Sequence, residues 1–221
     1  MSAPRLLDLG CGGGGGALGY ARAGFDVTGV DIVPQYEYPF RFVLGDMLTV
    51  ELDGYDAVHA SPPCKLWTGA RGDRHAARLF EPHADVLSPM LARLAELDVP
   101  WIVENVPGAP MPPGSLVLCG SSFGLDVRRH RLFASNVELT APPCDHASQE
   151  AGRFRSLDWS RHTAGKRDAV VGVHGSLQYA GELAIRRRAM GIDWLSNDRL
   201  TQAIPPAYTE HLGRQLRAYT G

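Results

Sequence analysis

Cys64 follows Ser61-Pro62-Pro63, and two prolines fix the backbone that presents the next side chain. A thiol held this way is a candidate nucleophile, although a lone cysteine is more often an inert buried residue. Glu104 comes at the end of the apolar run Trp101-Ile102-Val103. A carboxyl buried at such a point tends to keep its proton and can donate a hydrogen bond; an exposed one is merely solvated. Arg129 and Arg131 alternate within Arg128-Arg129-His130-Arg131-Leu132-Phe133, so an extended segment points both the same way. A thiolate, an acid and paired guanidinium groups suit attack on a heteroaromatic ring. The thiolate adds to a carbon, the acid engages a ring nitrogen, and arginine polarises a carbonyl oxygen.

A second set of residues suits a nucleotide-like ligand. Gly10 to Gly16 holds six glycines around Cys11, and Asp31 lies 17 residues after Gly14. Glycines let the backbone approach a ligand closely, and an acid about 20 residues on can accept both ribose hydroxyls. Asp46 suits an adenine amino group. The loop satisfies GxGxxG trivially, so by itself it does not separate a dinucleotide from S-adenosylmethionine, and a turn with capping acids is the plainer reading.

The elements that carry these residues alternate. Leu6–Leu9, Phe25–Asp31, Phe42–Asp46, Tyr55–Ala60 and Trp101–Val106 read as strands. Ala17–Gly24 and Leu87–Leu97 read as helices, the second with apolar residues every three or four positions and Pro89 in its first turn. Alternation predicts an α/β fold with a mostly parallel, doubly wound sheet, whose ligands bind at the carboxyl ends of strands. The glycine loop, Asp31, Asp46, Cys64 and Glu104 all fall at such ends. After Phe133 the pattern weakens. A short strand at Ala169–His174, a helix at Glu182–Met190 ending at Gly191, and a closing helix over Ala207–Tyr219 after Pro205-Pro206 are the readable pieces.

The chain has 221 residues, 44% hydrophobic and 21% charged, with a formal net charge of −2, which fits one compact domain with a small appendage. The small total hides an asymmetry. Residues 1–125 carry 8 basic against 14 acidic residues, and residues 126–221 carry 14 against 10. The second part clusters its arginines, which suggests a polyanionic partner. No apolar run reaches the roughly 18 residues of a membrane span, and no secretory signal opens the chain. The expectation is a cytoplasmic protein with free thiols at Cys11, Cys64, Cys119 and Cys144. No metal is expected: no pair is spaced CxxC, and Cys144 with His146 gives only two ligands.

In this order the motifs resemble those of the DNA cytosine-5 methyltransferases, most closely the compact phage-type members. Asp8-Leu9-Gly10-Cys11-Gly12-Gly13-Gly14-Gly15 looks like their cofactor loop, and Asp31 and Asp46 match the ribose and adenine acids. Pro63-Cys64 matches the nucleophile motif, Glu104-Asn105-Val106 the Glu-Asn-Val motif, and Arg129 and Arg131 the arginines of Gln-x-Arg-x-Arg. Arg188-Ala189-Met190-Gly191-Ile192 resembles the Arg-x-x-Gly-Phe-Pro region, and Thr201-Gln202-Ala203-Ile204-Pro205-Pro206 the late Gly-Asn-Ala-Val-Pro-Pro motif. The resemblance covers residues 5–133 and 186–220.

It implies a Rossmann-like, S-adenosylmethionine-dependent fold divided into a catalytic part (1–133), a small target-recognition region (134–185) and a returning C-terminal segment (186–221). It implies Asp8, Leu9, Gly10, Cys11, Gly12, Gly13, Gly15, Asp31, Ile32, Asp46, Met47, Pro63, Gln202 and Ile204 around the cofactor, with S-adenosylhomocysteine as product. Cys64, Glu104, Arg129 and Arg131 would be catalytic, and Pro63 and Asn105 would touch the base. Lys65, Arg153, Arg155, Lys166 and Arg167 would bind double-stranded DNA, with the protein a monomer in restriction-modification or a related role. Four positions depart from the family pattern: Gly10 for Phe, Lys65 for Gln, Val127 for Gln and Gln202 for Asn. With about 50 residues for recognition, a small share for a domain, methylation of RNA or of a free cytosine nucleotide stands as an alternative, as does a non-catalytic binder.

Overall fold

The computed structural model describes residues 2–67, 84–149, 170–177 and 180–221. Seven strands form one sheet: β1 (Arg5–Leu9), β2 (Asp26–Asp31), β3 (Arg41–Leu44), β4 (Ala57–Ala60), β5 (Trp101–Asn105), β6 (Leu116–Leu118) and β7 (Arg131–Ser135). Their order is β3-β2-β1-β4-β5-β7-β6. The first five pair in parallel, while β7 runs antiparallel to both β5 and β6. The helices are α1 (Gly15–Arg22), α2 (Leu87–Ala95), α3 (Glu182–Met190), α4 (Asn197–Gln202) and α5 (Pro206–Leu216).

Side chains of successive strand residues point to opposite faces, so each strand feeds two cores. Leu6, Val27, Ala57, Ile102 and Phe133 face α1 and α5, where Tyr20, Tyr208, Leu212 and Leu216 cover them. Leu7, Leu9, Val30, Val58, Ala60 and Val103 face the buried stripe Leu87, Met90 and Leu94 of α2. A third, smaller cluster gathers Val127, Val173, Met190, Ile192, Leu195 and Leu200 around α3 and α4. The last helix is locked to the first: Thr209 Oγ1 donates to Gly16 O at 2.7 Å. A Cβ on Gly19 would stand 2.0 Å from that same hydroxyl, so the two helices meet there only because α1 carries a glycine.

The predicted α/β class and mostly parallel sheet are borne out. The differences are local. The α1 helix starts two residues early, at Gly15, because Gly14 in the left-handed region (φ 85°) already turns the chain. The second helix ends at Ala95 rather than Leu97, and Pro89 does sit in its first turn, where Asp85 Oδ1 accepts from the N–H groups of Leu87 and Ser88. The expected strand at Ala169–His174 is corrected: Ala169 lies outside the described residues, and Val170–His174 joins no ladder beyond one bond from Val171 N to Asp126 O at 2.6 Å. The sheet also continues past residue 133, since β7 runs to Ser135 and Val137, Leu139 and Ala141 pack beside α5.

Candidate functional site

The strand order reverses between β1 and β4, and a cavity of about 820 Å³ opens at the carboxyl ends of the strands there. Its floor is the glycine loop. Gly10 has φ 70°, and a Cβ on it would lie 2.6 Å from both Met47 Cε and Ser61 O. The phenylalanine that the resemblance would place at this position has no room in this backbone. One wall holds Asp31, Ile32, Asp46 and Met47, and the opposite wall Ser196, Asp198, Arg199, Gln202 and Ile204. The C-terminal segment is tied to the loop by Trp194 Nε1, which donates to Gly13 O at 3.0 Å. Glu37 anchors it from the other side, accepting from Ser196 N at 3.0 Å and pairing with Arg199 Nε at 3.1 Å.

Cys64, Glu104 and Arg131 line the same cavity. Arg131 Nε pairs with Glu104 Oε1 at 3.0 Å, and its Nη1 donates to His130 O at 2.8 Å. The antiparallel register sets Glu104 opposite Phe133 and Asn105 opposite Leu132, which brings the arginine end of β7 beside the carboxyl end of β5. Burial pushes Glu104 above the usual carboxylate range, and the guanidinium groups of Arg131 and Arg129 work against it. Burial likewise raises the Cys64 thiol; Arg131 opposes this, and Glu104 reinforces it. Arg131 is therefore the local cation that favours both anions.

Behind these groups runs a hydrogen-bonded chain that sequence reasoning did not find. Tyr20 Oη lies 2.8 Å from His59 Nδ1, and His59 Nε2 lies 2.9 Å from Ser61 Oγ. Ser61 in turn opposes the upward shift of the Glu104 carboxyl. His59 thus bridges Tyr20 and Ser61 through its two ring nitrogens, one donating and one accepting in the neutral form. Burial pulls His59 down to about 3, consistent with that neutral form. No spacing signal marks this chain, since its members lie on α1, β4, the loop after β4, and β5.

Two buried acceptors at the cavity go unanswered. Asp8 Oδ2 and Gln35 Oε1 are buried acceptors without a hydrogen-bond partner among the described residues. Both residues line the cavity. Burial lifts the Asp8 carboxyl to about 7, and the neighbouring Asp31 adds to the shift. Asp31 accepts from Gly12 N at 3.1 Å and from Val33 N at 3.0 Å, which fixes its carboxylate against the loop. A ligand rich in donors, such as ammonium, ribose hydroxyl and ring amino groups, answers these acceptors. Ile32 is 68% exposed and offers an apolar platform beside them.

Of the expected cofactor residues, Asp8, Gly10, Cys11, Gly12, Gly13, Gly15, Asp31, Ile32, Asp46, Met47, Pro63, Gln202 and Ile204 line the cavity, as does Lys65. Three expected site residues do not. Leu9 is core, packed toward α2 because its position on β1 points it away from the opening. Asn105 is buried and acts on the loop instead: its Nδ2 donates to Pro62 O at 3.1 Å, and its Oδ1 accepts from Val106 N. Arg129 lies behind Arg131, with Nη2 donating to Thr201 O at 2.6 Å and Nη1 to Val173 O at 3.4 Å. It supports the arginine strand rather than facing the cavity. Arg153, Arg155, Lys166 and Arg167 lie outside the described residues.

No protein-family model and no curated protein matches the chain. Solved structures do match. The Dnmt2 methyltransferase of S. pombe aligns over 97% of this chain and 98% of its own, at 14% identity and a TM-score of 0.58. The Entamoeba histolytica methyltransferase EhMeth aligns over 99% of each, at 10% identity and a TM-score of 0.56. A DNA modification methyltransferase encoded within an E. coli prophage aligns over 62% of this chain, at 20% identity and a TM-score of 0.46, and the alignment spans about half of that protein (49%). No described helix is long and apolar enough to cross a membrane. The chain thus has the Rossmann-like fold of the S-adenosylmethionine-dependent methyltransferases.

Proposed function

We propose that this chain methylates carbon 5 of cytosine in double-stranded DNA. The methyl donor is S-adenosylmethionine, which supplies an electrophilic methyl group and leaves as S-adenosylhomocysteine. The observation that carries the reading is the convergence of Cys64, Glu104 and Arg131 on the glycine-loop cavity. The donor fits the residues present. Asp8 and Gln35 take its ammonium and other N–H donors, Asp31 its ribose hydroxyls, and Asp46 its adenine amino group. Ile32 and Met47 flank the adenine, and Gln202 and Ile204 close the cavity from the C-terminal side. Cys11, with its thiol buried, serves as packing in the loop.

The chemistry follows from the three central side chains. A cytosine turned out of the duplex meets Cys64, whose thiolate forms a bond to carbon 6. Glu104, whose hold on a proton burial strengthens, donates one to ring nitrogen 3, so the electron pair displaced by Cys64 settles as an enamine. Arg131, with Nε on Glu104 and Nη1 on His130 O, has Nη2 left to hold the base carbonyl. Carbon 5 of the enamine takes the methyl group. Loss of the carbon 5 proton to a base, departure of the Cys64 sulfur from carbon 6 and return of the nitrogen 3 proton to Glu104 then restore the aromatic ring, the thiolate and the acid. Arg129 and Asn105 position Arg131 and the Cys64 loop. Lys65 at the cavity, with Arg153, Arg155, Lys166 and Arg167, supplies phosphate contacts.

The test is covalent trapping. Duplex DNA carrying 5-fluorocytosine blocks the last proton loss and should leave a DNA–protein adduct that needs both S-adenosylmethionine and Cys64. Parallel arms with a transfer RNA and with dCMP, read by transferred radiolabel, decide the substrate. Label appearing only on RNA or only on the nucleotide refutes the DNA assignment. An adduct undiminished in Cys64→Ser refutes the nucleophile.

A further inference from the structure

The expectation of no metal weighed only Cys144 and His146, two residues apart in the chain. Folding adds two more ligands. The β6–β7 register pairs Leu118 with Arg131, and Cys119 and His130 are the next residues beyond that last pair. The segment after β7 then returns over them. Asp145 N donates to Ser121 Oγ at 3.1 Å, Ser122 Oγ donates to Pro143 O at 2.8 Å, and Arg128 Nη2 donates to His146 O at 3.1 Å. These bonds bring Cys144 and His146 to the same point.

We propose that Cys119, His130, Cys144 and His146 form a structural zinc site. Their four ligand atoms lie within 4.8 Å of one another. Cys119 Sγ is 3.3 Å from His146 Nε2, and Cys144 Sγ is 3.5 Å from His130 Nε2. With zinc–sulfur bonds of about 2.3 Å and zinc–nitrogen bonds of about 2.0–2.1 Å, a tetrahedron has sulfur–nitrogen edges of roughly 3.6 Å. The two sulfur–nitrogen edges, 3.3 and 3.5 Å, are slightly shorter than that. Two thiolates neutralise a divalent ion, and two sulfurs with two imidazoles suit zinc's borderline softness and tetrahedral preference. Four protein ligands leave no open position, so the ion holds structure and does not act on substrate.

The surroundings support a built site. Ser121 Oγ donates to Cys119 Sγ at 3.2 Å, an outer bond of the kind that orients a thiolate ligand. The imidazoles of His130 and His146 meet edge to face, with centroids 5.2 Å apart and planes at 82°, so they approach a common point without stacking. A thiol–imidazole hydrogen bond needs one pair; here two pairs from three chain segments share one centre. The ion would clamp the irregular stretch after β7 to the edge of the sheet, one residue from Arg131. This inference is independent of the proposed reaction.

The full-length chain, purified under reducing conditions without chelator, should retain one zinc per molecule after desalting, by elemental analysis. Loaded with Co²⁺ instead, it should show thiolate-to-cobalt charge transfer and the visible bands of a tetrahedral ion. Cys144→Ser and His146→Gln alter side chains at the surface end of the cluster and should lose the zinc while keeping the native circular dichroism spectrum. Ser121→Ala should keep the cobalt spectrum with affinity weakened by roughly 10- to 100-fold. Cys64→Ser should leave the zinc content unchanged. Absence of retained zinc and of thiolate-to-cobalt charge transfer in the wild-type chain overturns the proposal, whether or not the variants fold. So does zinc retained equally by Cys144→Ser and His146→Gln, or a Cys119–Cys144 disulfide in the reduced preparation.

Discussion

Asp8→Asn isolates one buried carboxyl whose ionisation opposes folding. Burial and the Asp31 charge raise Asp8 from an ordinary 3.8 to about 7. Between those values the unfolded chain ionises while the folded one holds its proton. Stability is therefore highest below about pH 4, falls as pH rises through the window, and levels off above about 7. The full shift corresponds to roughly 4 kcal/mol. Between pH 5 and pH 8 the fall is about 2.5 kcal/mol, because the first part is already lost at pH 5. Asparagine has nearly the same shape and does not titrate. Urea denaturation of both proteins from pH 5 to 8 should show the variant gaining about 2.5 kcal/mol on the wild type across that range. Other titrating groups, His59 and Glu104 among them, largely cancel in the difference, and so does any constant packing cost of the amide. Parallel pH profiles for the two proteins would refute the assignment of Asp8 as a strained acceptor. Under the proposed function, S-adenosylmethionine should also raise the wild type's melting temperature more than the variant's.

Other perturbations probe the same site. Cys64→Ser should abolish methyl transfer while leaving the urea midpoint and the S-adenosylmethionine affinity unchanged, the latter read by calorimetry. Arg131→Gln removes the main cation opposing the raised Cys64 thiol, so the pH profile of iodoacetamide alkylation at Cys64 should move to higher pH; an unmoved profile contradicts the electrostatic role. Ser61→Ala strands the buried His59 Nε2 and should cost about 1–3 kcal/mol. Because Ser61 lowers Glu104, the alkaline limb of activity should also shift upward, and a downward shift contradicts that role. Gly10→Ala places a Cβ 2.6 Å from Met47 Cε and Ser61 O at a positive φ, and should lose at least roughly 2 kcal/mol in thermal unfolding.

The parallel half of the sheet was legible because each strand is an apolar run closed by a glycine, an acid or, after β4, Ser61-Pro62-Pro63-Cys64, and those closures are the cavity residues. Asp31, Asp46, Cys64 and Glu104 needed no tertiary information beyond the rule that sites form at carboxyl ends. The antiparallel half was less legible. Leu116–Leu118 is three residues long among prolines and glycines, too short for periodicity to register. Without it one of β7's two partners is unknown, and so is the side of the sheet edge to which its arginines turn. Alternation predicted that the two arginines point the same way. It could not predict that Thr201 and Val173 would cover Arg129 and leave only Arg131 at the cavity.

The same missing strand hid the cysteine–histidine cluster. Metal sites are recognised in sequence by short spacings, and Cys119, His130 and Cys144 are separated by ten and then thirteen residues. What joins them is a ladder register: with Leu118 opposite Arg131, Cys119 and His130 are the next residues beyond that last pair. Strand alternation then gives β7 two duties. Arg131 turns toward Glu104, and His130 just before it turns to the other side, toward Cys144. A one-residue slip of β7 would exchange those faces, aiming an imidazole at the carboxylate and guanidinium groups at two thiols. The cluster on one face and the ion pair on the other therefore specify the same register, and each gives the strand a reason to hold the position that the other requires.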